Sequence, residues 1–203
     1  MQKDKFFIFD YMTDNEIIKL ILLGNREMFR YLVEKYHSMI FRTCLGFLHD
    51  KIDAEDLTQE VFIQTYQSLE KFKGDSSFLT WIYRIAVNAS LNKVRKTSKS
   101  FLIQRLDSLL GNDTLRAIEI PIPENENPEN ILILDEYHQW VKRALNSLPE
   151  NQRTAIVLSK YEDLSQKEIA RIMNTTEGAV EALIQRAKAN LREKLSSLQK
   201  KSK

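Results

Sequence analysis

The sequence predicts an all-α protein: two small helical domains joined by a flexible linker, with a helix-turn-helix in the C-terminal domain. Three observations predict this. Only 5 Gly and 4 Pro stand among 203 residues, too few turn formers for an all-β fold. From Asp14 to about Lys96 there is no Pro, and apolar residues recur at helical rather than alternating spacing. Pro121, Pro123 and Pro128, interleaved with Asn125, Asn127 and Asn130, then interrupt the pattern, which returns at Ile131. The expected division is 14–98 for the first domain, 99–133 for an acidic linker and 134–196 for the second domain.

The elements follow in order. Glu16–Leu23 makes a short helix stopped by Gly24, and Arg26–Leu48 a long one. Asp53 suits the N-cap of a helix running to about Leu69. Lys73-Gly74-Asp75-Ser76-Ser77 has turn chemistry, and Ser77 opens a helix to about Lys96. Residues 97–133 lack sustained periodicity, apart from a short local turn over Leu109–Leu115. Leu134, Tyr137, Val141 and Leu145 share one helical face, and Pro149 opens the next helix near its N1 position. Ser165 and Glu168 form a capping box. Asn174-Thr175-Thr176 makes a short turn before a last helix, whose stripe of Val180, Leu183, Ile184, Ala187 and Leu191 faces the core. No internal repeat is present.

Charge and composition exclude several classes. One Cys, Cys44, rules out a disulfide framework and a Cys-cluster zinc site. His37, His49 and His138 lack ligand-like spacing. No segment approaches the roughly 18 apolar residues of a membrane span. The Phe6–Phe9 patch is too short for a signal-peptide core. A soluble, cytoplasmic protein is expected. The formal net charge of +2 hides an asymmetry. Residues 106–136 hold eight acids and one base, and residues 137–203 thirteen bases and seven acids. A basic C-terminal part is the electrostatic footprint of nucleic-acid binding, although solvated charge produces the same count.

Three constellations carry chemistry. On the last helix, Glu181, Ala182, Gln185, Arg186 and Lys188 lie off the core stripe. A recognition helix in a major groove would present such residues to base edges: Gln to adenine, Arg to guanine or phosphate, Glu to cytosine. An ordinary α-hairpin with a solvated face is the alternative. Next, Asp53, Asp56, Glu60, Gln64 and Gln67 fall in one narrow arc of their helix, while Leu57, Val61, Phe62, Tyr66 and Leu69 cover a broad apolar arc elsewhere. This stripe is either a solvated face or a docking strip for a basic partner. Finally, Phe72–Asn88 places Phe72, Phe78 and Trp81 beside Arg84 and Asn88, with Asn92, Lys93, Arg95 and Lys96 continuing the helix. Aromatics beside bases and amides suit an unstacked single strand, and a polar loop ahead of the helix can receive an extruded base. The same aromatics also suit a core. The sequence holds no nucleophile–base pair, phosphate-binding Gly loop or metal set, so an enzyme is not expected.

Together these runs resemble bacterial RNA polymerase sigma factors of the extracytoplasmic-function (ECF) class. The matching stretches are Asp53–Phe62, Phe72–Asn88, Leu148–Arg153 and Leu164–Arg192. The resemblance implies sigma region two and sigma region four without regions one and three, and no cofactor. It implies that Asp53, Asp56, Gln59 and Glu60 dock on the β′ clamp helices of core polymerase, the β subunit being a further contact. It assigns Lys73, Gly74, Asp75, Ser76 and Ser77 to capture of a flipped minus-ten base. Trp81, Arg84, Asn88, Asn92, Arg95 and Lys96 are assigned to the DNA-contacting helix that follows. Thr176, Glu177, Gly178, Glu181, Ala182, Gln185, Arg186 and Lys188 are assigned to the minus-35 element. Many relatives carry Asp where this chain has Asn92, and Lys and Ser near Glu181 and Ala182, so the promoter sequence does not carry over. Many members of the family are held inactive by an anti-sigma factor, which adds a candidate protein partner. The rival reading is a helix-turn-helix regulator that acts without polymerase.

Overall fold

The computed structural model describes residues 12–109 and 139–199, and every regular element among them is helical. The helices are α1 (Asp14–Leu22), α2 (Phe29–Leu48), α3 (Lys51–Gln67), α4 (Phe78–Leu109), α5 (139–146), α6 (Glu150–Tyr161), α7 (Gln166–Met173) and α8 (Glu177–Gln199). Two 3-10 turns, Arg26–Met28 and Leu69–Lys71, join α1 to α2 and follow α3.

Local chemistry sets the boundaries. Thr13 caps α1 in a full capping box with Glu16, so the helix starts earlier than the Glu16 predicted from apolar spacing. The N-cap of α3 is Asp50, which accepts from the Asp53 amide at 2.8 Å; Asp53, expected as the cap, lies in the first turn instead. A carboxylate there still interacts favourably with the helix dipole. Pro149 occupies the N-cap of α6 rather than N1. The largest departure is α4, which runs 32 residues to Leu109, well beyond Lys96 and the expected domain boundary at 98. No Gly or Pro interrupts that stretch, so nothing in the chain stops the helix. The Pro-rich part of the linker, Leu134, Tyr137 and the Phe6–Phe9 patch lie outside the described residues.

In the first unit, α2, α3 and α4 enclose Leu32, Ile40, Phe47, Val61 and Ile82, none with measurable exposure. Burying one such side chain is worth roughly 1.5–3 kcal/mol. Thr58 and Thr65 are buried on the same side of α3, and each hydroxyl donates to the carbonyl four residues back at 2.7 Å. α1 is tied to α2 by the Tyr36 hydroxyl, which donates to Asp14 at 2.6 Å. In the second unit, Leu158, Ile169, Val180 and Ala187 are buried among α6, α7 and α8. Arg153, only 6% exposed, donates to the carbonyls of Asn146 (2.6 Å) and Leu148 (3.2 Å). It thereby satisfies acceptors at the end of α5 and in the turn to α6. The two units are packed against each other, and one hydrophobic cluster runs through both.

Candidate nucleic-acid interface

The outer face of α3 is open. Asp56, Gln59 and Glu60 are exposed, and Asp53 is half-buried with the Lys93 ammonium 3.4 Å away. Helical geometry puts Ile52 and Ile63 on the same face as Asp56. Ile52 is 77% exposed and Ile63 58%. The stripe therefore interleaves acids with uncovered aliphatics, which is how a protein contact surface differs from a merely solvated face. Beside it, the His37 ring stacks on Phe41 and Phe62 and lies 3.4 Å from Glu55.

Ahead of α4, the loop turns at Gly74, whose φ of +80° favours glycine. Lys73, Asp75 and Ser77 are exposed, and Ser76 is half-buried. The Ser77 hydroxyl accepts from the Thr80 amide at 3.1 Å, capping α4 as expected. Phe78 is core, at 1% exposure. Trp81 and Phe72 are half-buried, with ring centroids 5.2 Å apart, so their partial burial fits both readings left open by the sequence. Along α4, Asn88, Asn92, Arg95 and Lys96 are exposed, and Arg95 donates to the Asn92 side-chain oxygen.

The helix-turn-helix forms as expected. Ser165 and Glu168 complete a capping box on α7, and the hydrogen bonds it makes hold the Glu168 carboxyl below its ordinary range. Asn174 ends α7 in the left-handed region at φ +52°, a conformation Asn tolerates. The Thr176 hydroxyl accepts from the Ala179 amide at 3.2 Å and caps α8. Val180, Ile184 and Ala187 are buried, while Leu183 and Leu191 are half-buried. Glu177, Gly178, Glu181, Gln185, Arg186 and Lys188 are exposed, and Ala182 is half-buried on their side.

The sequence missed how these surfaces meet. Arg84 does not face solvent alone: its guanidinium donates to the carbonyls of Ile172 (3.1 Å) and Arg171 (2.6 Å) at the end of α7. Asn88 and Arg84 line one groove with Asn151 and Thr154 of α6. Asp75, Ser76 and Ser77 share a cleft of about 640 Å³ with Asn174, Thr176 and Glu177. Glu162, just past α6, has a fully buried side chain that accepts from Arg42 (3.2 and 3.0 Å) and from the Tyr83 hydroxyl (2.9 Å). Burial raises its carboxyl above the ordinary range despite those hydrogen bonds. Gly46, inside α2, leaves so little room that an added Cβ would lie 2.8 Å from Val157 and 2.9 Å from Tyr161. A glycine inside a long apolar helix was the one available sign that another backbone or side chain comes close.

Comparison with known proteins assigns both units. Residues 32–100 match the family model Sigma-70 region 2, and residues 138–191 match Sigma-70, region 4. The chain is 33% identical to the RNA polymerase sigma-H factor of Pseudomonas aeruginosa over 91% of its own length and 95% of that protein's. It is 34% identical to the ECF RNA polymerase sigma-E factor of Escherichia coli over 93% of its length and 97% of that protein's. Its fold resembles that of CnrH, solved in complex with the cytosolic domain of CnrY, with a TM-score of 0.60 and 22% identity, covering 91% of this chain and 97% of that one. Two sigma regions in the expected order, spanning nearly the whole length of both relatives, make this chain a member of the ECF RNA polymerase sigma factor family.

Proposed function

We propose that this protein binds core RNA polymerase and directs promoter recognition, DNA melting and transcription initiation, with no catalysis of its own and in the cytoplasm, where that polymerase acts. The observation that carries the proposal is the pairing of the two family regions with three surfaces of matching chemistry, on α3, on α4 with the loop before it, and on α8. Asp56, Gln59 and Glu60, with Ile52 and Ile63 between them, dock on a polymerase surface of complementary charge. Asp53 borders that surface. Residues 73–77 take up an extruded minus-ten base, and α4 holds the unstacked strand through Trp81, Arg84, Asn88, Asn92, Arg95 and Lys96. Stacking contributes about 1–3 kcal/mol per base and offsets part of the cost of strand opening. The N-terminal face of α8, from Thr176 to Lys188, reads the minus-35 duplex. No helix among the described residues is long and apolar enough to cross a membrane. An anti-sigma factor fits as a further partner, since RpoE of Bartonella quintana, at 21% identity, was solved in complex with the anti-sigma factor NepR.

Run-off transcription with purified core polymerase and a genomic promoter library tests the proposal. Discrete start sites that vanish with Asp56→Arg plus Glu60→Arg are expected. Tight binding to duplex DNA without core, and no initiation with it, would replace the proposal by a polymerase-independent regulator.

A further inference from the structure

We propose that the polymerase-docking surface extends beyond α3 onto the end of α1, where Leu22 and Leu23 make an apolar contact with core polymerase. The inference rests on the sigma-factor reading and adds a surface to it. α1 lies outside the Sigma-70 region 2 match, which begins at residue 32, so the family match does not account for this element.

The fold makes no use of the two leucines. Ile17, Ile18 and Ile21 fill the buried face of α1. At about 100° per residue, Leu22 and Leu23 fall off that stripe, with Leu23 on nearly the opposite side. Leu22 is 48% exposed and Leu23 84%. Nor does the end of the helix need them. α1 stops in a Schellman motif: the Gly24 amide donates to the Ile21 carbonyl and the Asn25 amide to the Leu20 carbonyl, both at 3.0 Å, with Gly24 at φ +102°. The apolar contact that often accompanies this motif would join Leu20 to position 25, and position 25 is Asn. The motif fixes the backbone that presents both leucines, so little ordering remains to oppose binding.

Their position joins them to the α3 face. Asp14, in the first turn of α1, accepts from Lys35 and Tyr36 of α2, both at 2.6 Å. From that point the two helices run alongside in opposite directions. At 1.5 Å per residue, α1 rises about 12 Å from Asp14 to Leu22, and α2 covers about 11 Å from Tyr36 back to Phe29. Leu22 and Leu23 thus come level with Phe29. The Phe29 ring meets Tyr66 edge-on, with centroids 5.0 Å apart, and Phe62 at 6.5 Å. Tyr66, 37% exposed, stands one turn beyond Ile63 on the outer face of α3. A line of apolar side chains therefore leads from Ile63 through Tyr66 and Phe29 to the end of α1. A single exposed leucine needs no explanation, but a contiguous apolar patch bordered by charge marks a protein contact. Continuity names the occupant: the polymerase surface that covers Ile63 also reaches Leu22 and Leu23.

The test measures binding of the full chain to immobilised core polymerase by surface plasmon resonance, at several salt concentrations. Leu22→Gln plus Leu23→Gln keeps helix propensity and removes the apolar contact. This pair is expected to weaken core binding about tenfold, chiefly through faster dissociation, with the salt dependence unchanged. Leu22→Met plus Leu23→Met, which keeps apolar volume, should bind within about twofold of the parent. Asp56→Arg plus Glu60→Arg should instead alter the salt dependence, because that contact is electrostatic. Circular dichroism and a thermal melt check that each variant stays folded.

Unchanged binding by the folded Gln pair, or a Met pair as weak as the Gln pair, overturns the extension and leaves docking through α3 in place. A parent that sediments as a dimer, with a Gln pair that does not, overturns it in favour of a second copy of this chain. Phe7→Ser plus Phe9→Ser that raises amide exchange over residues 20–25 overturns it in favour of the chain's own N-terminus. A parent that does not bind core at all removes the sigma-factor reading itself, an outcome distinct from the loss of this contact alone.

Discussion

Two faces of region two differ in one respect. The α3 face, with Asp56, Glu60, Ile52 and Ile63, is uncovered, whereas on α4 Arg84 is half-buried and bonded to the end of α7, with the exposed Asn88 lining a groove beside it. The surface proposed for polymerase is exposed, whereas the surface proposed for DNA is engaged in part, through Arg84, by the end of α7. That difference is one of partners, which Arg84 already has within the chain. It also separates two kinds of positive charge. Arg186 and Lys188 on α8 are exposed, while Arg84 has two protein acceptors that DNA would have to replace.

The largest expected effect lies on the open face. Asp56→Arg plus Glu60→Arg places two cations on the face proposed to dock a basic partner, at a cost of several kcal/mol. Run-off transcription should fall about a hundredfold or more, with the thermal melt unchanged. A loss accompanied by a lower melt would show that the fold had failed rather than the docking.

On α4, Arg84→Ala removes two hydrogen bonds from a charged donor, each worth about 1.5–3 kcal/mol. Transcription should fall about tenfold while the thermal melt shifts down. Arg186→Ala should lower transcription from minus-35-dependent promoters without shifting the melt. Melts and activity measured on both variants separate the two roles.

A smaller effect concerns the stability of region four. Ser165→Ala removes a helix cap and should cost about 1 kcal/mol, read in a thermal melt. Its partner Glu168 is held below the ordinary carboxyl range by hydrogen bonds from Ser165. That stabilisation is present above about pH 4.5 and lost as pH falls through the lowered value, so the difference between parent and variant should shrink in acid.

The smallest effect has the opposite sign. Glu162 is raised, first by burial and then by Asp163, against the lowering effect of Arg42 and Tyr83. The protonated form therefore favours the fold: its contribution is full below the ordinary carboxyl range and is lost as pH rises through the raised value. Glu162→Gln keeps an acceptor for Arg42 and Tyr83 without a charge to desolvate. It should stay folded and lose this pH dependence, with activity within about twofold of the parent, in contrast to Glu162→Lys. Thermal melts against pH check this.

Much of the fold was legible from local signals. The Ser165–Glu168 capping box, the Asn174–Thr176 turn and the Val180–Ala187 stripe depend on neighbours within a few residues, and all three appear as expected. The acidic arc of α3 was equally legible, because Leu57 and Val61 on one side leave Asp56 and Glu60 on another. Boundaries fared worse where a stronger local cap lay nearby, as Asp50 did before Asp53. The end of α4 lies beyond the point where apolar periodicity fades, because no Gly or Pro interrupts residues 78–109.

The sequence by itself determined the helices, their buried faces, the helix-turn-helix and the runs of residues that mark the family. These follow from propensity, capping and periodicity, which act over a turn or two of chain. Only the tertiary structure decided the partners of Arg84, Glu162 and Gly46, because each meets residues about 80 to 120 positions away. Such contacts depend on how two finished surfaces fit, by shape, by the room a missing Cβ leaves and by the pairing of buried charge. No local pattern in the chain encodes that fit.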